Sequence, residues 1–231
     1  MKILCTICAR SGSKEVKNKN IIKIGKKILI NYTIDQARKS KIFDKIVVST
    51  DSAKIKRLTR ENVDFVIKRP KFMSNDSAPK MPAIKHALQK SEIEFNKKFD
   101  LIVDLDVTSP LRNTSDIKKA VKQIENTKHS NLVSVNESRR NPYFNMVEKN
   151  KNGLKLVKKN KKSFSTRQSS PKIYDLNASI YIWKRSSLLR SDTVIGRGTS
   201  IYLMPYDRSI DIDSKFDLSI VENILKKRKK K

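Results

Sequence analysis

A chain of 231 residues, 37% hydrophobic and 32% charged, can bury one core of domain size but has no apolar run of about 18 residues, which excludes a membrane-spanning helix. Its opening Met1–Cys8 stretch meets Arg10 and Lys14 too soon for a secretory signal, and two cysteines cannot build a disulfide framework, so the expected compartment is the cytoplasm. Lys and Arg number 52 against 23 Asp and Glu, a formal charge of +29, yet only the tail 226–231 is a dense basic run and no zinc-ligand spacing, stacking motif or heptad accompanies it; specific nucleic-acid binding is not expected.

In chain order, the pattern alternates strand and helix. Ile3–Ala9 is a nearly continuous apolar run of strand length, and Leu29–Lys39 is helical with Ile30, Ile34 and Ala37 on one face. Lys45–Thr50 is a second strand, Ser52–Asn62 a helix and Val63–Ile67 a third strand. Pro82–Lys90 is a helix, Leu101–Asp106 a fourth strand, and Thr114 or Ser115 caps a helix whose stripe is Ile117, Val121 and Ile124. Leu132–Val135 is a fifth strand. The rhythm breaks over 138–176, a polar stretch read as an excursion from the sheet, either an active-site flap or an association element. Ala178–Trp183 and Ile201–Met204 return as strands. The last helix opens on Ser214 and Asp217 in a capping-box pattern and buries Phe216, Ile220, Val221 and Ile224. Apolar strands separated by helices predict one α/β domain over 1–231, a doubly wound, mostly parallel sheet covered on both faces, with 226–231 a basic tail.

Ligands of such sheets bind beyond the carboxyl ends of the strands. Directly after the first strand stands Ala9-Arg10-Ser11-Gly12-Ser13-Lys14, whose small residues allow close backbone approach and whose cations suit phosphate. It has neither Walker A nor dinucleotide spacing. Two Asp-x-Asp pairs follow, Asp104/Asp106 and Asp211/Asp213; in extended chain each presents two carboxylates to one side, which suits a hard cation such as Mg²⁺. Asp213 also suits a helix cap, and Asp51 is read as the cap of the helix that follows it. Cys5 and Cys8 lie in the first strand facing opposite sides, which points to core packing.

Taken in order, these motifs resemble the CMP–sialic acid synthetases, or acylneuraminate cytidylyltransferases. The resemblance runs from Ile3 to about Leu225. It rests on the first loop with Lys17-Asn18-Lys19-Asn20-Ile21, on Val47–Ser52, Lys68-Arg69-Pro70, Asp76-Ser77-Ala78, Thr108-Ser109-Pro110-Leu111-Arg112, Asn177–Ile182 and Ser209–Asp213. Arg139–Asn145, Tyr174–Asn177 and Asp104–Pro110 are more similar to the bacterial branch acting on legionaminic-type acids.

What this resemblance implies is a homodimeric nucleotidyltransferase of cell-surface glycan biosynthesis. It would join CTP to a nine-carbon 2-keto sugar acid, giving the CMP-sugar and pyrophosphate. Arg10, Ser13, Lys14 and Lys19 would hold the triphosphate, and Asn20 and Arg69 the nucleotide more widely. Asp211 and Asp213 would bind Mg²⁺ and, with Lys14 and Lys19, carry catalysis. Asp106, Arg167, Asn177 and Tyr181 would face the sugar, Arg167 by reaching across the dimer. Four positions depart from the family: Glu15 and Ala178 replace glycines, Asp106 a glutamine, and Lys80 a small hydroxyl residue. Glu15 beside a triphosphate is expected either to point away or to mark a loop that differs from the family's. Alternative readings are a Kdo-type cytidylyltransferase and a Mg²⁺-dependent glycosyltransferase using Asp104 and Asp106.

Overall fold

The computed structural model describes residues 1–12, 15–75, 78–151, 153–159, 164, 166 and 168–228. Ser13, Lys14 and Arg167, three of the expected site residues, lie outside them.

The strands with unbroken apolar character are those buried on both faces. β1 (Ile3–Cys8) pairs in parallel with β4 (Lys45–Thr50) on one side and β6 (Leu101–Leu105) on the other; between β1 and β4 in the chain, two short strands, β2 (Lys23–Ile24) and β3 (Lys27–Ile28), form their own ribbon. β5 (Phe65–Lys68) extends the sheet beyond β4. β7 (Asn131–Glu137), β10 (Tyr174–Lys184) and β11 (Thr199–Leu203) complete a seven-stranded sheet in the order β11-β7-β10-β6-β1-β4-β5. Only β10 runs antiparallel to its neighbours, so the sheet is mostly parallel, as its sequence pattern predicts. The remaining pair, β8 (Val147–Asn150) and β9 (Gly153–Leu156), is an antiparallel ribbon within the 138–176 excursion.

Two packed layers cover the sheet. On one face, Cys5, Ile7 and Val103 meet Ile30 and Ile34 of α1 (Leu29–Ser40), Ile55 of α2 (Ala53–Thr59), Ile117 and Val121 of α4 (Thr114–Glu125) and Val221 of α6 (Lys215–Arg228). On the other, Leu4, Ile102 and Trp183 meet Ile84 and Leu88 of α3 (Lys80–Glu94) and Leu188 of α5 (Arg185–Arg190). The alternation of Leu4 and Cys5 between these layers follows from the two-residue period of a strand.

Several local expectations are corrected. The α4 cap is Asn113, whose side chain and that of Asp116 form a reciprocal capping box, because Asn113 holds extended backbone where Thr114 is already helical. Ser52 caps α2, accepting from the Ile55 N–H, and Asp51 is employed elsewhere. Ser214 and Asp217 do exchange the capping bonds expected of them, but Phe216 is 72% exposed; the apolar side of α6 is Leu218, Val221, Ile224 and Leu225. α6 also runs into the basic tail as far as Arg228, whose guanidinium donates to the Leu111 carbonyl at 2.8 Å. β10 begins four residues before the predicted strand, at Tyr174, inside the excursion.

Candidate active site

β1 turns out of the sheet beside β4 in one direction and β6 in the other. The crevice at this reversal is where open α/β sheets bind ligands. Here it is a cleft of about 670 Å³, large enough for a nucleotide, with Arg10, Asn20, Arg69 and Lys80 contributing to its wall alongside Asp106 and Asp211.

The loop after β1 is tied down at several points. The Ser11 N–H and hydroxyl both donate to the Asp51 carboxylate, at 2.9 and 2.6 Å. This is the use of Asp51 that its position after β4 concealed. Arg10 reaches across the cleft to the Asn75 carbonyl at 2.7 Å, and Asn20 donates to the Arg10 carbonyl at 2.9 Å. Asn18, just before, adopts φ 57°, a left-handed conformation that asparagine tolerates well. Arg69, after β5, is 6% exposed and spends its guanidinium on the Ser49 carbonyl (2.7 Å) and hydroxyl (3.2 Å). Glu15 is exposed and is among the residues lining the same cleft.

The opposite wall carries the carboxylates. Asp104, on β6, is wholly buried; its Oδ1 accepts from the Thr6 hydroxyl at 2.8 Å and its Oδ2 lies 2.7 Å from the Lys80 ammonium. Lys80 also sits 2.6 Å from Asp106 Oδ2, while Asp106 Oδ1 accepts from the Thr108 N–H and hydroxyl at 3.1 and 2.9 Å. Burial alone would raise the Asp106 carboxyl, but the Lys80 ammonium and the Thr108 bonds outweigh it and hold the value down at about 2.

Asp211 reaches this wall from 105 residues further along. The segment is steered by Arg208, which pairs with the buried Asp116 at 2.9 Å, and by Ile212, fully buried, whose N–H donates to the Thr108 carbonyl at 2.9 Å. Lys19 donates to the Ile212 carbonyl at 2.7 Å and to Asp213 at 3.0 Å. Asp211 Oδ1 is buried with no hydrogen-bond partner among the described residues. Burial, then the neighbouring Asp106 and Asp213 charges, push its carboxyl up to about 6. Asp213, by contrast, has a side chain 75% exposed.

Of the expected sugar-side residues, Asp106 lines the cleft, whereas Asn177 and Tyr181 are held within the sheet. Asn177 is 3% exposed: its Oδ1 accepts from Ser134 and the Ser179 N–H, and its Nδ2 donates to Ser209. Tyr181 is 7% exposed, stands edge-on to Trp183 and has the Lys80 ammonium 5.8 Å from its ring centre. Between them Ala178 adopts φ 50° at an irregularity in the β7–β10 register. That conformation favours glycine, which explains the residue expected there.

Arg112 braces this architecture from behind. It is 1% exposed and donates to Gln36, Thr33, Ser179 and the Asp106 carbonyl, joining α1, β10 and the end of β6. Burial lowers its pKa to about 10. Neither Arg112 nor the Lys80 bridge is legible as a site feature from spacing, because their partners are scattered along the chain.

A phosphate-suited loop facing carboxylates at the switch point of such a sheet is a nucleotide-handling geometry, and comparison with known proteins gives its class. A cytidylyltransferase family profile matches residues 4–224. The chain belongs to the cytidylyltransferase family. It is 47% identical over 225 residues to the CMP-N,N′-diacetyllegionaminic acid synthase of Campylobacter jejuni, covering 97% of this chain and 95% of that one. It is 45% identical over 228 residues to the post-translational flagellin modification protein B of Campylobacter coli, covering 98% and 96%. Among solved structures, a CMP:2-keto-3-deoxy-manno-octonic acid synthetase complexed with CTP superposes with a TM-score of 0.72 over 99% of this chain and 100% of that one; at 14% identity it attests the fold alone. This cytidylyltransferase is therefore a nucleotidyl-transferring enzyme built on a mostly parallel α/β sheet.

Proposed function

We propose that this cytidylyltransferase activates a nine-carbon 2-keto sugar acid of legionaminic type, joining it to CTP with release of pyrophosphate. The observation that carries the reading is near-full-length similarity at 45–47% identity to proteins that include a CMP-diacetyllegionaminic acid synthase, set beside a cleft combining phosphate-suited cations with Asp106 and Asp211. The Kdo-type reading has fold likeness at 14% identity behind it. The glycosyltransferase reading needs a cation on both Asp104 and Asp106, and Asp104 is wholly buried with the Lys80 ammonium against it.

In the proposed reaction the anomeric C2 hydroxyl attacks the α-phosphorus of CTP, its proton passing to a cleft carboxylate or to water, and the bond to pyrophosphate breaks. Arg10 and Lys19, with Ser13 and Lys14 by motif, hold the triphosphate and offset charge that grows on its oxygens. Asn20 and Arg69 keep the first loop and the β4 end in register around the nucleotide. Asp106 faces the region where the sugar acid would enter, with Arg167 its expected partner by motif.

Mg²⁺ belongs to the same reading. The donors fit a hard cation: Asp211 has a buried oxygen without a partner, and the carboxylates of Asp106 and Asp213 flank it. This ion is usually held by one or two carboxylates, completed by substrate phosphate oxygens and water. When bound there, Mg²⁺ would supply charge neutralisation to the triphosphate.

We also infer a homodimer working in the cytoplasm. Support comes from apolar side chains left exposed along the excursion and the sheet edge: Val147 at 58%, Leu154 at 72% and Leu203 at 55%. The decisive experiment is pyrophosphate release with CTP, Mg²⁺ and a panel of nonulosonic acids. Legionaminic-type acids should turn over best. Preferential turnover of an eight-carbon acid would overturn the substrate class.

A further inference from the structure

The ammonium of Lys80 stands where the carboxylate wall would meet a metal. Lys80 is the first residue of α3, after the Pro79 cap, and its side chain is 29% exposed at the cleft. It touches two carboxylates of unlike standing. Asp104 is wholly buried and already engaged by Thr6, so its charge needs a permanent partner. Asp106 is 19% exposed, lines the cleft, and is held through its other oxygen by Thr108. Lys80 can thus release Asp106 while keeping Asp104.

We propose that Lys80 is a resident counter-cation that occupies Asp106 until nucleotide arrives, making divalent-cation uptake at Asp106 and Asp211 depend on CTP. The proposal rests on the metal-assisted cytidylyl-transfer reading. In the nucleotide-free protein a divalent ion entering between Asp106 and Asp211 meets a fixed ammonium on the Asp106 carboxylate and gains little from it. The triphosphate brings the negative charge that lets both cations stay, the ammonium turned to Asp104 and the ion to Asp106 and Asp211. Lys80 acts here through Asp106 and is a positioning residue. The arrangement keeps the empty cleft from trapping metal and couples metal entry to substrate entry.

The test is Mn²⁺ binding followed by electron paramagnetic resonance, with and without CTP and without sugar acid. Wild type should bind Mn²⁺ weakly alone and firmly with CTP. Lys80→Met should tighten nucleotide-free Mn²⁺ binding on the order of tenfold and shrink the gain brought by CTP. Because Lys80→Met strands the buried Asp104 charge and can impair folding, the double variant Lys80→Met/Asp104→Asn is measured beside it; Asn keeps the acceptor for Thr6. Adding Asp211→Asn to that double variant should abolish the gain. A folded variant with wild-type nucleotide-free affinity overturns the role of Lys80 and leaves the metal reading standing; a gain that survives Asp211→Asn removes Asp211 as the ion's ligand and overturns the proposal with it. Wild type that takes up no Mn²⁺ even with CTP overturns both.

Discussion

The end of β6 and the segment before α6 each carry an Asp-x-Asp pair beside the same cleft, and they solve the problem of two like charges in opposite ways. On β6, the buried Asp104 and the cleft-facing Asp106 share one ammonium, and hydroxyls take their remaining oxygens. Before α6, the burial of Ile212 turns the two carboxylates to unequal depths: Asp211 sits half-buried with an unpartnered oxygen, and Asp213 lies out in solvent with Lys19. The first pair is electrostatically complete and the second is not. Under the proposed Mg²⁺-assisted reading, the finished wall would keep the cleft's shape and the unfinished one would receive the cation.

That contrast can be broken most forcefully at Arg112, which carries the finished wall by holding the Asp106 carbonyl and Ser179. Arg112→Met leaves several buried acceptors unpaired and should cost roughly 3–5 kcal/mol, read by chemical denaturation. A cost below about 1 kcal/mol would show that the β6 end keeps its shape without this brace.

The unfinished wall is tested by separating its two members. Asp211→Asn should lower kcat/KM about a hundredfold, with partial recovery at raised Mg²⁺, whereas Asp213→Asn should cost less than about tenfold. Equal losses would mean that their difference in burial has no bearing on function.

Asp211 also leaves a mark on stability. Its folded value, about 6, lies above the ordinary carboxylate value, so between about pH 4 and 6 the folded chain holds a proton that the unfolded chain has released. Its contribution to stability therefore falls as pH rises through that window, and the full cost is present above it. Asp211→Asn should stabilise the protein at pH 7–8 by about 1–2 kcal/mol, allowing for partial exposure, and not at pH 4. A denaturation midpoint that shifts equally at both pH values would remove Asp211 as the source.

The smallest effect is expected behind the finished wall. Ala178 at φ 50° turns Ser179 toward Arg112. Ala178→Gly should raise stability by roughly 0.5–1 kcal/mol, seen as a higher Tm, by relieving a strained conformation. A lower Tm would mean that the methyl group packs usefully there.

The sequence made the framework legible wherever burial acted on both faces of a strand. Ile3–Cys8 and Lys45–Thr50 emerge almost to the residue because every side chain along them favours an apolar setting. β10 was cut short because Tyr174, Asp175 and Leu176 are exposed and carry no such signal. Phe216 misled for the opposite reason: it fits the helical spacing of the buried side yet faces solvent, since the sheet supports α6 from Leu218 onward. The first loop and Asp211 were recognisable as motifs. The use of Asp51 by Ser11, 40 residues away, and the joining of Asp104 to Asp106 by Lys80 were not, because such partnerships are made by strand order.

Cys8 ends β1, half-buried among the residues lining the cleft, and desolvation, reinforced by the negative charge of Asp104, pushes its thiol up to about 12. At neutral pH only about one molecule in 10⁵ carries the thiolate there, the form that reacts with alkylating agents and peroxides. Cys5, the other cysteine in the chain, is wholly buried and its thiol is raised as well. Both thiols are thereby disfavoured as thiolates. A cysteine introduced on the β8–β9 ribbon or at the sheet edge would then be the favoured site for a maleimide dye or spin label, giving a direct test of whether two copies of the chain meet there.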